Sequence, residues 1–158
     1  MTHTQHATPC FAIYKSQTKA RLIFDMRAYN KVFPRPPPFS LPAMSQLLKS
    51  GPLSRFWFAK VDVQNCFWSI SLPPAVTGYF PLHSGVIGCP TYGSRQLPFG
   101  WSWSPLLAQL TIHDIITPLH TVFLCWQFID DILIAHEDPY FLTFGVEYLV
   151  YILDKHAV

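Results

Sequence analysis

Residues 121–136 read TVFLCWQFIDDILIAH, two apolar runs that meet at a pair of aspartates, Asp130 and Asp131. Both runs are rich in aromatic and β-branched residues, and the short polar break between them is the pattern of two strands joined by a tight turn. A related stretch lies upstream. RFWFAKVDV, residues 55–63, is almost continuously apolar, the pattern of a strand buried on both faces, with Asp62 at its end. Between these stretches Ser104 and Pro105 suit the N-cap and first position of a helix, which runs through LLAQLTIHDII until Pro118 stops it. After them YFLTFGVEYLVYILDKHAV, residues 140–158, carries apolar residues at helical spacing.

Further out the signals are shorter. Residues 1–18 are polar and irregular, and KARLIFDMRAYNKVF, residues 19–33, alternates basic and apolar residues as a strand with one wet face would. Lys19, Arg21 and Arg27 make it a local basic strip. PRPPPFSLP is a stiff connector, because proline fixes φ and lacks a donor. PAMSQLLKSG, residues 42–51, has a proline near its start and a glycine at its end, the marks of a short helix. The prolines and glycines between Leu72 and Gly100 imply turns between short strands, with a hairpin through Gly85 to Tyr92. Strand, strands, helix, hairpin, helix is the order of an α+β fold, a split βαβ sheet with helices on one face.

A length of 158 residues suits a single compact unit. With 50% hydrophobic and only 13% charged residues, the chain is more apolar than an ordinary soluble domain. No apolar run approaches the roughly 18 residues of a membrane span, so a membrane partner is not expected. The N-terminus lacks the pattern of a secretory signal, which makes an intracellular setting the expectation, cytoplasm and nucleus being undistinguished. Cys10, Cys66, Cys89 and Cys125 are scattered without metal-ligand spacing and read as free buried thiols. A formal charge of +2 does not mark a nucleic-acid binder by bulk electrostatics, so any grip on phosphate must be local.

Of nine acidic residues, Asp62, Asp130 and Asp131 fall in otherwise apolar strand contexts. A carboxylate there is tolerable when paired or bound to a cation. Adjacent strands would cluster the three at one sheet edge, a set of hard oxygen donors suited to Mg²⁺. Two such ions about 4 Å apart would serve an in-line phosphoryl displacement. Aspartate is also common in turns for local reasons, and on these residues alone the two readings stand level.

The flanking residues separate them. FIDDILIA (residues 128–135) resembles the aromatic-x-Asp-Asp signature of reverse transcriptases, and AKVDVQNCFWSISLP (59–73) resembles their first palm motif. QLPFGWSWSPLLAQ (96–109) is similar to the LPFGxxxSP segment of long-terminal-repeat retrotransposons, and KARLIFDMRAYN (19–30) to the fingers segment, with Arg21, Asp25, Arg27 and Asn30 at the family's spacing. The motifs stand in the family's order over roughly residues 15–155 and are specific as a set.

This resemblance implies an RNA-directed DNA polymerase with a palm and part of the fingers, about residues 1–55 for the fingers part with its connector and about 56–158 for the palm. It implies Asp62, Asp130 and Asp131 as catalytic metal-binding carboxylates, with the Val63 carbonyl as a further ligand, and two Mg²⁺ ions, Mn²⁺ being the alternative. Arg21 matches the arginine on the incoming triphosphate. Phe67, five residues after Asp62, matches the aromatic gate that excludes a 2′-hydroxyl. Phe99 and Gly100 match the nucleotide side of the LPFG segment. Arg27, Asn30, Pro98, Trp101 and Phe128 match positions near template or primer, although Arg27 and Asn30 suit structural roles equally and Trp101, like Trp103, suits packing equally. Gln109 falls in the same segment.

Phenylalanine at position 99, where many reverse transcriptases carry glutamine, points to a long-terminal-repeat-like or tyrosine-recombinase type. The implied partners are an RNA template, a DNA or RNA primer, dNTPs and the rest of a retroelement polyprotein. Phe128 departs from the family's usual tyrosine. The lysine-bearing motif, the primer grip and the thumb that would follow are not met before Val158. A non-catalytic retroelement remnant or interaction module that keeps the fold is therefore the competing expectation, and an RNA-dependent RNA polymerase, which would not want Phe67 as a gate, ranks behind both.

Overall fold

The computed structural model describes residues 8–14, 16–42, 49, 53–82, 92–156 and 158. The helix expected over 42–51 and the hairpin expected through Gly85 to Tyr92 lie almost wholly outside them. In chain order the described elements are β1 (Cys10–Tyr14), β2 (Ala20–Phe24), α1 (Arg27–Val32), β3 (Trp57–Asp62), α2 (Cys66–Ser69), α3 (Pro74–Thr77), β4 (Pro81–Leu82), β5 (Tyr92–Gly93), α4 (Ser104–Ile116), β6 (Leu124–Phe128), β7 (Asp131–His136) and α5 (Pro139–Lys155). The chain gathers into two compact units, one of Met1–Pro36 with Phe67–Ser104, the other of Pro37–Cys66 with Pro105–Val158. Among the described residues no helix is long and apolar enough to cross a membrane.

In the second unit β3, β7 and β6 form an antiparallel sheet in that order. β7 is the middle strand, and its Ile132, Ile134 and Ala135 are fully buried. α5 packs on β7 and β3 through Leu142, Gly145, Leu149, Ile152 and Leu153, an apolar stripe at helical spacing. Asp138 caps this helix, its carboxylate accepting the N–H groups of Tyr140 and Phe141 at 2.8 and 3.3 Å. Gly145 is required by packing. A Cβ there would stand 2.5 Å from the Phe123 ring. In α4, Leu106, Ala108, Ile112 and Ile116 are buried, and the chain tightens into a 3₁₀ turn at Thr117, one residue before Pro118.

Three expectations need correction here. β3 is not buried on both faces: Trp57 is 59% and Phe58 40% exposed, because the strand pairs only with β7 among the described residues and lies at the sheet edge. An apolar run does not report whether a strand has one partner or two. Asp131 is the first residue of β7 rather than a turn residue. Ser104 does not cap α4 with its side chain; its hydroxyl donates to the Pro98 carbonyl at 2.7 Å.

In the first unit β1 and β2 pair antiparallel from Cys10↔Phe24 to Tyr14↔Ala20. The stretch read as irregular therefore holds a strand, and the strand read over 19–33 ends at Phe24 before α1 begins. Asp25 makes that break by accepting the Arg27 N–H at 3.2 Å, a local turn that competes with a strand ladder. β4 and β5 form a second short antiparallel pair. Phe80 is fully buried between Phe33, stacked at 5.8 Å between ring centroids, and Trp101, edge-on at 4.8 Å.

Candidate active site

The sheet of the second unit brings the three expected carboxylates to one end. Asp62 closes β3 opposite Asp131, which opens β7, and Asp131 in turn pairs with Phe128 at the end of β6. Ile129 and Asp130 are left as a two-residue loop. The Val63 N–H donates to the Asp130 carbonyl at 2.8 Å, tying the loop to the chain that leaves β3. Lys60 lies two residues before Asp62, and its Nζ is 2.9 Å from Asp131 Oδ1. The hydrogen bond that Lys60 donates to Asp131 raises the Lys60 pKa, the charge of Asp131 adds to this, and Asp62 and Asp130 contribute in the same sense. Burial pushes the Cys66 thiol up to about 12, with the charges of Asp130 and Asp62 reinforcing the shift. Cys66 is thus a neutral packing group beside the carboxylates.

These donors are hard oxygens, the kind that Mg²⁺ or Mn²⁺ prefers. Among the described residues no group of three or more His, Cys, Asp or Glu side chains is arranged to hold a metal ion. Asp131 is engaged by Lys60 instead. The donor set fits a divalent ion in chemistry, with one of its carboxylates already taken by an ammonium.

The loop is held in a costly conformation. Ile129 has φ 55, in the left-handed region that a β-branched residue avoids. A positive φ at the first loop position alone is the pattern of a type II′ hairpin turn, where glycine is usual. Two glutamines hold it. Gln109 Oε1 on α4 accepts the Ile129 N–H at 2.8 Å, while Gln127 Nε2 on β6 donates to the Ile129 carbonyl at 3.1 Å and to the Gln109 carbonyl at 3.0 Å. Gln109 Nε2 completes the clasp on the Gln127 carbonyl at 3.3 Å. Gln127 is 3% exposed, with its Oε1 buried and unpartnered. Sequence reasoning missed Gln127, although a lone amide inside the apolar run LCWQF is a signal that it must be paired.

In the first unit three expected nucleotide-binding residues meet. The Arg21 guanidinium lies 5.7 Å from the centroid of the Phe99 ring, and Phe67 packs edge-on to the same ring at 4.7 Å. Gly100 follows with φ +90, and a Cβ on it would stand 3.0 Å from the Phe24 carbonyl, so glycine is required there. The Asn30 amide donates to the Gly100 carbonyl at 2.8 Å and accepts the Ser102 N–H at 2.9 Å, which fixes the LPFG segment from α1. Trp101 is buried against Phe80 and Phe33, and the Trp103 indole donates to the Pro34 carbonyl at 2.7 Å. Pro98 is fully buried. Arg27 is occupied by Asp25, whose carboxyl it lowers to about 2 through a side-chain hydrogen bond first and a backbone one second. Phe128, half exposed, belongs to the second unit, at the end of β6.

Residues 13–153 match the family model described as reverse transcriptase (RNA-dependent DNA polymerase). The Gag-Pro-Pol polyprotein of human T-cell leukemia virus 3 is 32% identical over 143 residues, which is 83% of this chain and 9% of that protein. The intracisternal A-particle Pol-related polyprotein of mouse intracisternal A-particle MIA14 is 29% identical over 158 residues, 94% of this chain and 18% of that one. The chain thus spans less than a fifth of these relatives. Among solved structures, a foamy viral protease-reverse transcriptase in complex with double-stranded DNA superposes with a TM-score of 0.76 at 20% identity, over 95% of this chain and 25% of that chain. The native prototype foamy virus protease-reverse transcriptase gives a TM-score of 0.70 at 22% identity, over 95% and 19%. The α+β fold and the motif order agree with these matches, and the chain belongs to the reverse transcriptase family.

Proposed function

We propose that this chain carries the catalytic part of an RNA-directed DNA polymerase that adds dNTPs to a primer 3′-hydroxyl. The register that sets Asp62 opposite Asp131, with Asp130 in the adjoining loop, carries this reading. Asp62, Asp130 and Asp131, with the Val63 carbonyl, would hold two Mg²⁺ ions. Bound there, divalent ions supply a more acidic primer hydroxyl and stabilisation of the leaving oxygen. Arg21 meets the triphosphate with a planar fork of donors. Phe67 and Phe99, packed on each other, present an apolar wall to the sugar, and Gly100 lets backbone approach the nucleotide. Asn30, Pro98 and Trp101 act from behind by fixing that segment, while Arg27 and the exposed ring of Phe128 face template and primer. Residues of about 1–55 serve as the fingers part and about 56–158 as the palm. The polyprotein relatives support a place within a retroelement polyprotein, working inside the cell on an RNA template.

Extension of oligo(dT) on poly(A) tests this. Incorporation that Asp130→Ala abolishes supports the polymerase. Absence of incorporation by the parent chain turns the reading to a non-catalytic module that keeps the fold.

A further inference from the structure

Lys60 is the one charged residue in the interior of β3, and its position relative to the carboxylates is fixed by the sheet. Side chains alternate along a strand, so Lys60 shares a face with Asp62, and Asp131 shares that face as the cross-strand partner of Asp62. Lys60 and Asp131 are thus diagonal neighbours on an antiparallel pair, a separation that a long side chain spans. It does so here, with Nζ 2.9 Å from Oδ1. Among the described residues Asp131 is the only one of the three carboxylates in an ion pair.

A divalent ion and an ammonium cannot share one carboxylate oxygen without strong repulsion. We propose that Lys60 is a positioning residue of this centre, whose ammonium competes with divalent cations for Asp131. A first ion is taken by Asp62 and Asp130, and Asp131 joins only as Lys60 lets go. This rests on the metal-binding reading of the carboxylates given above and adds the control of their occupancy. The ion pair is well exposed, at 61% for the lysine and 41% for the aspartate side chain, so the competition is mild and screened by salt. Such a pair weakens cation binding without preventing it.

Mn²⁺ binding to the full chain, followed at low salt by loss of the free-ion electron paramagnetic resonance signal, tests the proposal without relying on turnover. Lys60→Met keeps the apolar stem and should tighten Mn²⁺ binding about two- to five-fold, the scale of one exposed ion pair. Lys60→Arg, which keeps the cation, should bind as the parent does. In an Asp131→Asn background the gain from Lys60→Met should shrink to the residue left by the charge of Lys60 on Asp62 and Asp130. Equal affinity of the parent and Lys60→Met overturns the proposal. So does an undiminished gain in the Asp131→Asn background, since the lysine would then act only as diffuse charge. Failure of the underlying reading looks different: Mn²⁺ binding that is absent from every variant, or indifferent to Asp62→Asn, removes the metal centre and this proposal with it.

Discussion

The clasp on Ile129 makes a prediction whose size follows from its hydrogen bonds. Gln109→Met is nearly isosteric and keeps the packing of α4, but it removes the acceptor that lies 2.8 Å from the Ile129 N–H. A part-buried N–H left without a partner costs about 1–3 kcal/mol. The left-handed backbone at Ile129 stores a further strain of about 1–3 kcal/mol that this bond opposes. Staying in place therefore costs the fold about 2 kcal/mol, whereas relaxing recovers part of that energy by moving Asp130. On the polymerase reading a shift of 1–2 kcal/mol in the turn equilibrium lowers the ratio of correctly placed to displaced turns by about 5- to 30-fold. The assay is single-turnover primer extension beside urea denaturation of the same variant. The decisive control is Ile129→Gly, which tolerates positive φ unaided. In that background Gln109→Met should still lower stability, because the N–H still lacks its acceptor, but should lose most of its effect on the rate. If the rate penalty is undiminished by Ile129→Gly, Gln109 does not act through the geometry of this turn and the reasoning fails.

Three other outcomes follow from packing and burial. Gly145→Ala forces a Cβ against the Phe123 ring and should destabilise the protein by about 1–3 kcal/mol, read as a lowered Tm, while an alanine elsewhere on the exposed face of α5 should leave Tm unchanged. Burial raises the Cys66 pKa from an ordinary 9.0 to about 12, so between those values the unfolded chain loses a proton that the folded one keeps. Cys66 should therefore cost no stability below about pH 9 and erode it from there towards 12, a slope that Cys66→Ala removes in pH-dependent denaturation. At neutral pH an alkylating reagent should label exposed Cys10 well before Cys66, as mass spectrometry can show.

The parts of the fold legible in the sequence are those whose signal is local. α5 announces itself by apolar spacing, and the β6–β7 pair by apolar runs around a short polar break. β1 carries a signal that reading residues 1–18 as polar and irregular passes over, since CFAIY is a short apolar run, and the fold leaves all five of its residues exposed. α1, six residues long, is too short for a helical period, and only the Asp25 turn marks its start. Of the candidate site, the carboxylates and the Arg21, Phe67 and Phe99 group were visible as motifs. What was hidden is pairing at a distance. Lys60 reads as one charge in an apolar run until the register sets it diagonal to Asp131, and Gln109 reads as part of a loop-to-helix motif until α4 brings it to Ile129. Motif residues need the right chemical type, which a sequence states outright. The residues that govern those motifs need a particular neighbour, and only strand register and helix placement supply it. For that reason the ion pair on Asp131 and the hold on the Ile129–Asp130 turn come from Lys60, Gln109 and Gln127, residues whose own types carry no catalytic signature.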